Sequence, residues 1–222
     1  MININRFIEH TVLKPTMVDR DVDRAIEEAL EYQFVGLCIP PFWVKKASRE
    51  LRGHAVQVVT AIGFPFGYTM TENKLDEIKM AIDNGADELD VVLNISAFKS
   101  GMSWTKMDLA KCSELIHQNS CLMKVIIETA YLSNDEIVRA TRLCQDAGTD
   151  FVKTSTGYAP GGALVEHIQL IRATLQETVG VKASGGIRNL ETALAMIDAG
   201  ADRLGVSAGV EIMKEALAGE LS

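Results

Sequence analysis

The sequence lacks the cationic surplus that nucleic-acid binding requires. Its 22 Lys and Arg are outnumbered by 30 Asp and Glu, for a net charge of −8, whereas phosphate contacts need clustered cations. No apolar run reaches membrane-spanning length. The first residues, MININRFIEH, lack the apolar stretch of a secretory signal. Nucleic acid and membrane are therefore not expected as partners. The four cysteines, Cys38, Cys112, Cys121 and Cys144, form no CxxC pair; that pattern suits reduced, mostly buried thiols in the cytoplasm. The four histidines show no HxH or HExxH spacing, so no preformed zinc site is expected. No low-complexity linker or long charge block interrupts the chain, and no domain boundary is visible. A single domain over 1–222 is expected, and 222 residues can bury a full core without disulfide or metal staples.

Short apolar, β-rich runs alternate with amphipathic stretches. Strands are expected at 10–13, 34–39, 56–62, 88–93, 122–128, 150–154, 180–183 and 203–206, and helical periodicity runs over 72–84, 135–147 and 190–199. Strands alternating with helices imply parallel βαβ units, and eight of them predict an α/β fold of the (β/α)8 TIM-barrel type. A doubly wound open sheet would call for a GxGxxG turn after the first strand, and none is present. An internal repeat supports the barrel: AIDNGADELDVVL, LCQDAGTDFVKTS and MIDAGADRLGVSA each read helix end, Gly, small residue, Asp, strand. The glycines, Gly85, Gly148 and Gly200, fit helix C-caps. Five residues beyond them stand Asp90, Lys153 and Gly205. Strand alternation puts these on one face, so Asp90 and Lys153 are expected to point into the barrel.

Three strands carry a lysine in apolar surroundings: Lys124 in LMKVIIE, Lys153 in DFVKTSTG and Lys182 in VGVKASGG. Buried lysines are rare unless paired, and a structural ion-pair network with Asp90 and Glu128 would account for them. Lys153 and Lys182, however, precede small polar residues at strand ends, where a barrel builds its active site. Two amines facing one another, desolvated, would lower each other's pKa and free one to attack a carbonyl as a Schiff-base nucleophile. Asp90 would orient a water or relay a proton. Spacing leaves open which lysine attacks. SGGIR (184–188, with Gly185, Gly186 and Arg188) and GVSAG (205–209, with Gly205 and Ser207) each lead into a helix and fit an anion site. The loop TGYAPGGAL, which includes Thr156 and Gly157, follows Lys153 and has room to contact substrate. Two other readings are a phosphate-binding isomerase using carboxylate acid–base chemistry and a non-catalytic sugar-phosphate sensor. Elsewhere, His10 and Glu128 read as barrel-end hydrogen-bonding groups, and Phe42, Trp43 and Trp104 as helix packing or an oligomer contact. Met70, Met80, Met102 and Met107 read as ordinary packing.

The segments IEHTVLKP, VVTAIGFPFG, NGADELDVVLNISAFKSG, KVIIET, DFVKTSTGYAPGGA and KASGGIRNLETALAMIDAGADRLGVSAG are, in order, very similar to motifs of the deoxyribose-phosphate aldolase family. The resemblance spans about 8–210 and rests most on DFVKTSTG with KASGGIR. It implies a class I aldolase on a (β/α)8 barrel, with no metal and no cofactor. Its reaction is the reversible cleavage of 2-deoxy-D-ribose 5-phosphate to D-glyceraldehyde 3-phosphate and acetaldehyde. Carried over by motif, Lys153 forms the Schiff base, Lys182 is the neighbouring cation and Asp90 serves the proton relay. Gly185, Gly186 and Ser207 then bind phosphate with Arg188 nearby. Thr11, Cys38 and Lys124 stand near the site, where an aldehyde by-product could reach the Cys38 thiol. A phosphorylated sugar is the implied partner, and a homo-oligomer, a dimer first, the implied assembly. The sequence departs from the usual pattern at Glu9, where Asp is common, and at Tyr158, Val206 and Ala208; the final GELS carries no tail tyrosine.

Overall fold

The computed structural model describes residues 3–220. Eight parallel strands close into a barrel in sequence order: β1 Ile8–Thr11, β2 Gly36–Ile39, β3 Gln57–Ile62, β4 Glu88–Val92, β5 Leu122–Ile126, β6 Phe151–Lys153, β7 Gly180–Ser184 and β8 Arg203–Val206. The helices α1 Asp19–Glu31, α2 Val44–Glu50, α3 Thr71–Asp83, α4 Ile95–Lys99 and α5 Trp104–Gln118 cover the first half. Then come α6 Asn134–Asp146, α7 Val165–Thr174, α8 Leu190–Asp198 and α9 Gly209–Glu220. This is the expected (β/α)8 barrel.

The predicted elements fall where expected with small shifts at their ends. The exception is β1, which starts at Ile8 rather than at residue 10. Ile8 is fully buried and pairs with Leu204, while the chain turns away after Thr11. The outward-facing strand residues, among them Leu37, Leu89, Val91, Met123, Val125, Val152, Val181 and Leu204, are buried against the helices. Each contributes about 1.5–3 kcal/mol of apolar burial. The alternate residues point inward and divide by strand. β2 and β3 give Cys38, Val59 and Ala61; β1 and β4–β7 give Glu9, Asp90, Lys124, Lys153 and Lys182, all buried.

The repeat read from the sequence is a stitch at the N-terminal rim. Gly85, Gly148 and Gly200 have φ of 95°, 85° and 107°, the left-handed conformation glycine adopts without cost. Two residues on, Asp87, Asp150 and Asp202 each bond back to the preceding strand. Their carboxylates accept the backbone N–H of Val58 (2.8 Å), Met123 (2.7 Å) and Val181 (2.8 Å). Their own N–H groups donate to the carbonyls of the same three residues.

The four cysteines are buried and free, as expected. Four methionines are not the packing residues expected: Met70, Met80, Met102 and Met107 are exposed. Met80 and Met107 sit on the solvent side of helices whose other faces bury Ile78 and Ala81, and Leu109, Cys112 and Ile116. Phe42 projects into solvent at 83% exposure, edge-on to Trp43.

Candidate active site

The three interior lysines converge on one carboxylate. Asp90 and Lys124 are register partners on β4 and β5, as are Lys153 and Lys182 on β6 and β7. Asp90 Oδ2 accepts from Lys153 at 2.8 Å and from Lys182 at 2.7 Å, and Oδ1 accepts from Lys124 at 3.1 Å. Lys182 also bonds the Glu9 carboxylate, and Lys124 lies 2.5 Å from Glu88. Burial pushes the Asp90 carboxyl up, but the three ammonium groups outweigh it and hold it well below the ordinary range. Glu9 is likewise buried yet lowered, chiefly by Lys124 and Lys182. Burial works against the charged form of Lys124 and Lys182, but Asp90 and Glu9 raise both above the ordinary lysine value. Lys182 is thus not depressed as a facing amine would make it: the carboxylates raise it and keep it cationic. Glu128 makes no ion pair in this network, although the Lys153 charge reaches it. Its Oε2 instead accepts from Thr156 Oγ1 and, at 3.1 Å, from Thr156 N–H.

Above the charges lies a cavity of about 920 Å³ at the C-terminal mouth. Lys153, Thr156, Gly157, Gly185, Gly186, Arg188, Gly205, Ser207 and Thr11 all line it. Lys124, Lys182, Asp90 and Cys38 do not; they lie beneath it, fully buried. Burial pushes the Cys38 thiol up, which keeps it a neutral, poorly nucleophilic group. Lys153 thus opens onto the cavity while its two neighbours are sealed.

The glycines shape this mouth. Gly185 and Gly186 have φ of 84° and 80°. A Cβ on Gly162 would stand 2.2 Å from the carbonyl oxygen of Gly185, so the two loops close on each other, with Ala163 N–H shared between the carbonyls of Ser184 and Gly185 at 3.0 Å. Gly205 occupies the repeat position of Asp90 and Lys153 because a Cβ there would lie 3.0 Å from Lys182 Cε. α8 starts behind SGGIR with the Asn189 side chain accepting from Thr192 N–H at 2.9 Å. The first N–H groups of α8 are thus taken within the protein, that of Leu190 by the Glu215 carboxylate at 2.7 Å, and the glycine loop ahead of the helix, Gly185 to Arg188, is what lines the mouth.

Sequence reading missed several groups. Lys14 and Lys214 add cations to the cavity wall; Lys14 follows a strand end, the one local sign that it belonged to the mouth. Tyr158 spans the mouth: its hydroxyl donates to Leu13 O at 2.8 Å and its ring stands edge-on to Phe64. On its far side a smaller, apolar cavity of about 470 Å³ is walled by Phe66, Tyr68, Tyr131 and Tyr158. A Ser113–His117–Asp150 hydrogen-bonded series lies at the opposite rim, where the serine hydroxyl donates to Gly148 O at 2.8 Å.

The profile of the DeoC/LacD family aldolases matches residues 6–215. A deoxyribose-phosphate aldolase of Lactococcus lactis subsp. lactis (strain IL1403) is 49% identical over 213 residues, 96% of each chain. A solved structure described as QR15, an aldolase, superposes with a TM-score of 0.94 at 40% identity, covering 100% of this chain and 99% of that one. The deoxyribose phosphate aldolase of Aeropyrum pernix, described as having a unique tetrameric structure, gives 0.90 at 29% identity over 96% and 91%. Family profile, sequence relatives and fold agree with the lysine-centred mouth: the chain belongs to the DeoC/LacD family of aldolases.

Proposed function

We propose that Lys153 is the Schiff-base nucleophile of a class I aldolase that reversibly cleaves 2-deoxy-D-ribose 5-phosphate to D-glyceraldehyde 3-phosphate and acetaldehyde. The observation that carries the assignment is accessibility: of the three interior lysines, Lys153 lines the cavity and Lys124 and Lys182 do not. Its amine attacks the aldehyde carbon of the open-chain sugar, and loss of water gives the protonated imine. That cation is an electron sink. Removal of the C3 hydroxyl proton lets the C2–C3 bond break, its electron pair passing into the enamine as glyceraldehyde 3-phosphate leaves. Protonation at C2 and hydrolysis release acetaldehyde and restore the amine. Asp90 Oδ2 touches both Lys153 and Lys182, so it is the carboxylate placed to exchange a proton with the Lys153 amine. Lys182 stays charged and disfavours a second cation beside it.

The phosphate is assigned to Gly185, Gly186, Gly205 and Ser207, with Arg188, Lys14 and Lys214 supplying charge. Glu9 reaches Lys182 directly, so the longer side chain at this position joins the network without displacing Asp90. Among the described residues no helix is long and apolar enough to cross a membrane. The expected setting is the cytoplasm, in salvage of deoxynucleoside sugar carbon. A homo-oligomer is the expected assembly, with exposed Phe42 a candidate contact.

The test is product analysis. Incubated with 2-deoxyribose 5-phosphate, the protein should release acetaldehyde and glyceraldehyde 3-phosphate in equal amounts. An isomerised sugar phosphate without acetaldehyde would establish the isomerase reading instead.

A further inference from the structure

The interior sets three lysines against three carboxylates, Glu9, Glu88 and Asp90. Fully charged, these cancel. Nucleophilic attack needs one lysine without its proton, which leaves an unbalanced negative charge among the buried carboxylates beneath the mouth, an expensive arrangement. A further cation stands at the N-terminal end of the network. Arg203 on β8 is the register partner of Lys182, and its Nε lies 3.7 Å from Glu9 Oε1. Both atoms are buried and neither has a hydrogen-bond partner. The guanidinium lies over the Phe151 ring, 5.7 Å from its centroid. Phe151 precedes Lys153 by two residues, on the same face of β6. Gly180 beside it makes room, since a Cβ there would stand 2.3 Å from the ring. Aromatic ring and glycine thus hold Arg203 under Glu9.

We propose that Arg203 is a positioning residue for the reaction: a permanent counter-charge that, through Glu9 and Lys182, lets Lys153 stand without its proton. The proposal rests on Lys153 being the nucleophile. Arginine keeps its charge at every working pH. Lys124 is fixed by Glu88 and Asp90, and Lys182 by Glu9 and Asp90. With Arg203 these make three cations against three carboxylates, and the amine left over is Lys153. Among the other groups near Lys153, Cys38 on β2 is a neutral thiol and β3 contributes Val59 and Ala61. Glu128 is a further carboxylate that feels the Lys153 charge; burial raises its carboxyl, which weakens its hold on the Lys153 proton, and its Oε2 accepts from Thr156.

The test is the pH dependence of imine trapping, with acetaldehyde as the probe and cyanoborohydride as the reductant. The adduct on Lys153 is quantified by mass spectrometry in the wild type, R203Q, R203K and the double variant E9Q/R203Q. Without the guanidinium the network gains negative charge and holds the Lys153 ammonium more tightly. The midpoint of trapping should therefore rise by about one pH unit in R203Q. It should stay near the wild type in R203K and return toward it in E9Q/R203Q, where one carboxylate has gone too. Should R203Q fail to fold, E9Q against E9Q/R203Q reads the same difference without stranding Glu9, and the double should lie about one unit higher. Equal midpoints within the pair read would overturn the proposal. A wild type that forms no Lys153 adduct at any pH would overturn the nucleophile assignment itself, and this proposal with it.

Discussion

At the N-terminal rim, Asp87, Asp150 and Asp202 repeat one device: a carboxylate bonded to the backbone N–H of the preceding strand. Three residues further along the same strands stand Asp90, Lys153 and Gly205, which have only their inward-facing position in common. The rim residues meet a geometric demand, closure of one strand on the next, and that demand is the same at each αβ corner. The inward residues meet a chemical demand that differs at each strand: a carboxylate to gather the amines, an amine at the cavity wall that we propose reacts, and an empty place to admit Lys182. A (β/α)8 barrel separates stability from chemistry along its axis in this way, and here the separation falls within a few residues of single short strands.

Substitutions at the two levels should have opposite signatures. Lys153→Met should lower the rate of deoxyribose-phosphate cleavage by at least about a thousandfold. The fold should persist, because Asp90 keeps Lys124 and Lys182. Steady-state kinetics beside a thermal melt reads both. A smaller effect is expected at the phosphate end of the mouth. Arg188→Gln should raise KM for the phosphorylated sugar about tenfold, the loss of one charge-assisted contact, while leaving KM for unphosphorylated deoxyribose unchanged. The smallest effect on turnover belongs to the rim. Gly85→Ala forces a side chain into the left-handed region at φ 95°, with its Cβ 2.1 Å from Ser48 Oγ. It should cost about 1–3 kcal/mol in urea unfolding and leave kcat as it was. A Gly85→Ala protein with native stability and reduced kcat would break the separation.

Much of this was legible in the sequence because it is periodic or local. The repeat phase placed Asp90 and Lys153 on one face, and they meet at 2.8 Å. The glycine clusters after β7 and β8 mark the mouth, and both line one cavity with Lys153. The rest depends on closure of the ring, which no local pattern encodes. Glu9 and Lys182 are 173 residues apart, and Tyr158 and Leu13 are 145 apart. These contacts exist only because β1 pairs with β8 and the loops on opposite sides of the mouth meet. Arg203 read as an ordinary strand start, since its partner Glu9 lies on the strand that completes the barrel. Met80 and Met107 were misread because an apolar residue within a helical stretch suggests burial, and here the helices turn other residues inward; Met70 and Met102 lie just outside the helices, in the loops before α3 and α5.

Of the three interior lysines, Lys153 is expected to react because it alone of them opens onto the cavity. Incubation with 2-deoxyribose 5-phosphate, reduction with borohydride and peptide mapping tests it most directly. A substrate-dependent adduct is expected on Lys153 and none on Lys124 or Lys182. An adduct on Lys182, or turnover with no adduct on any lysine, would contradict it.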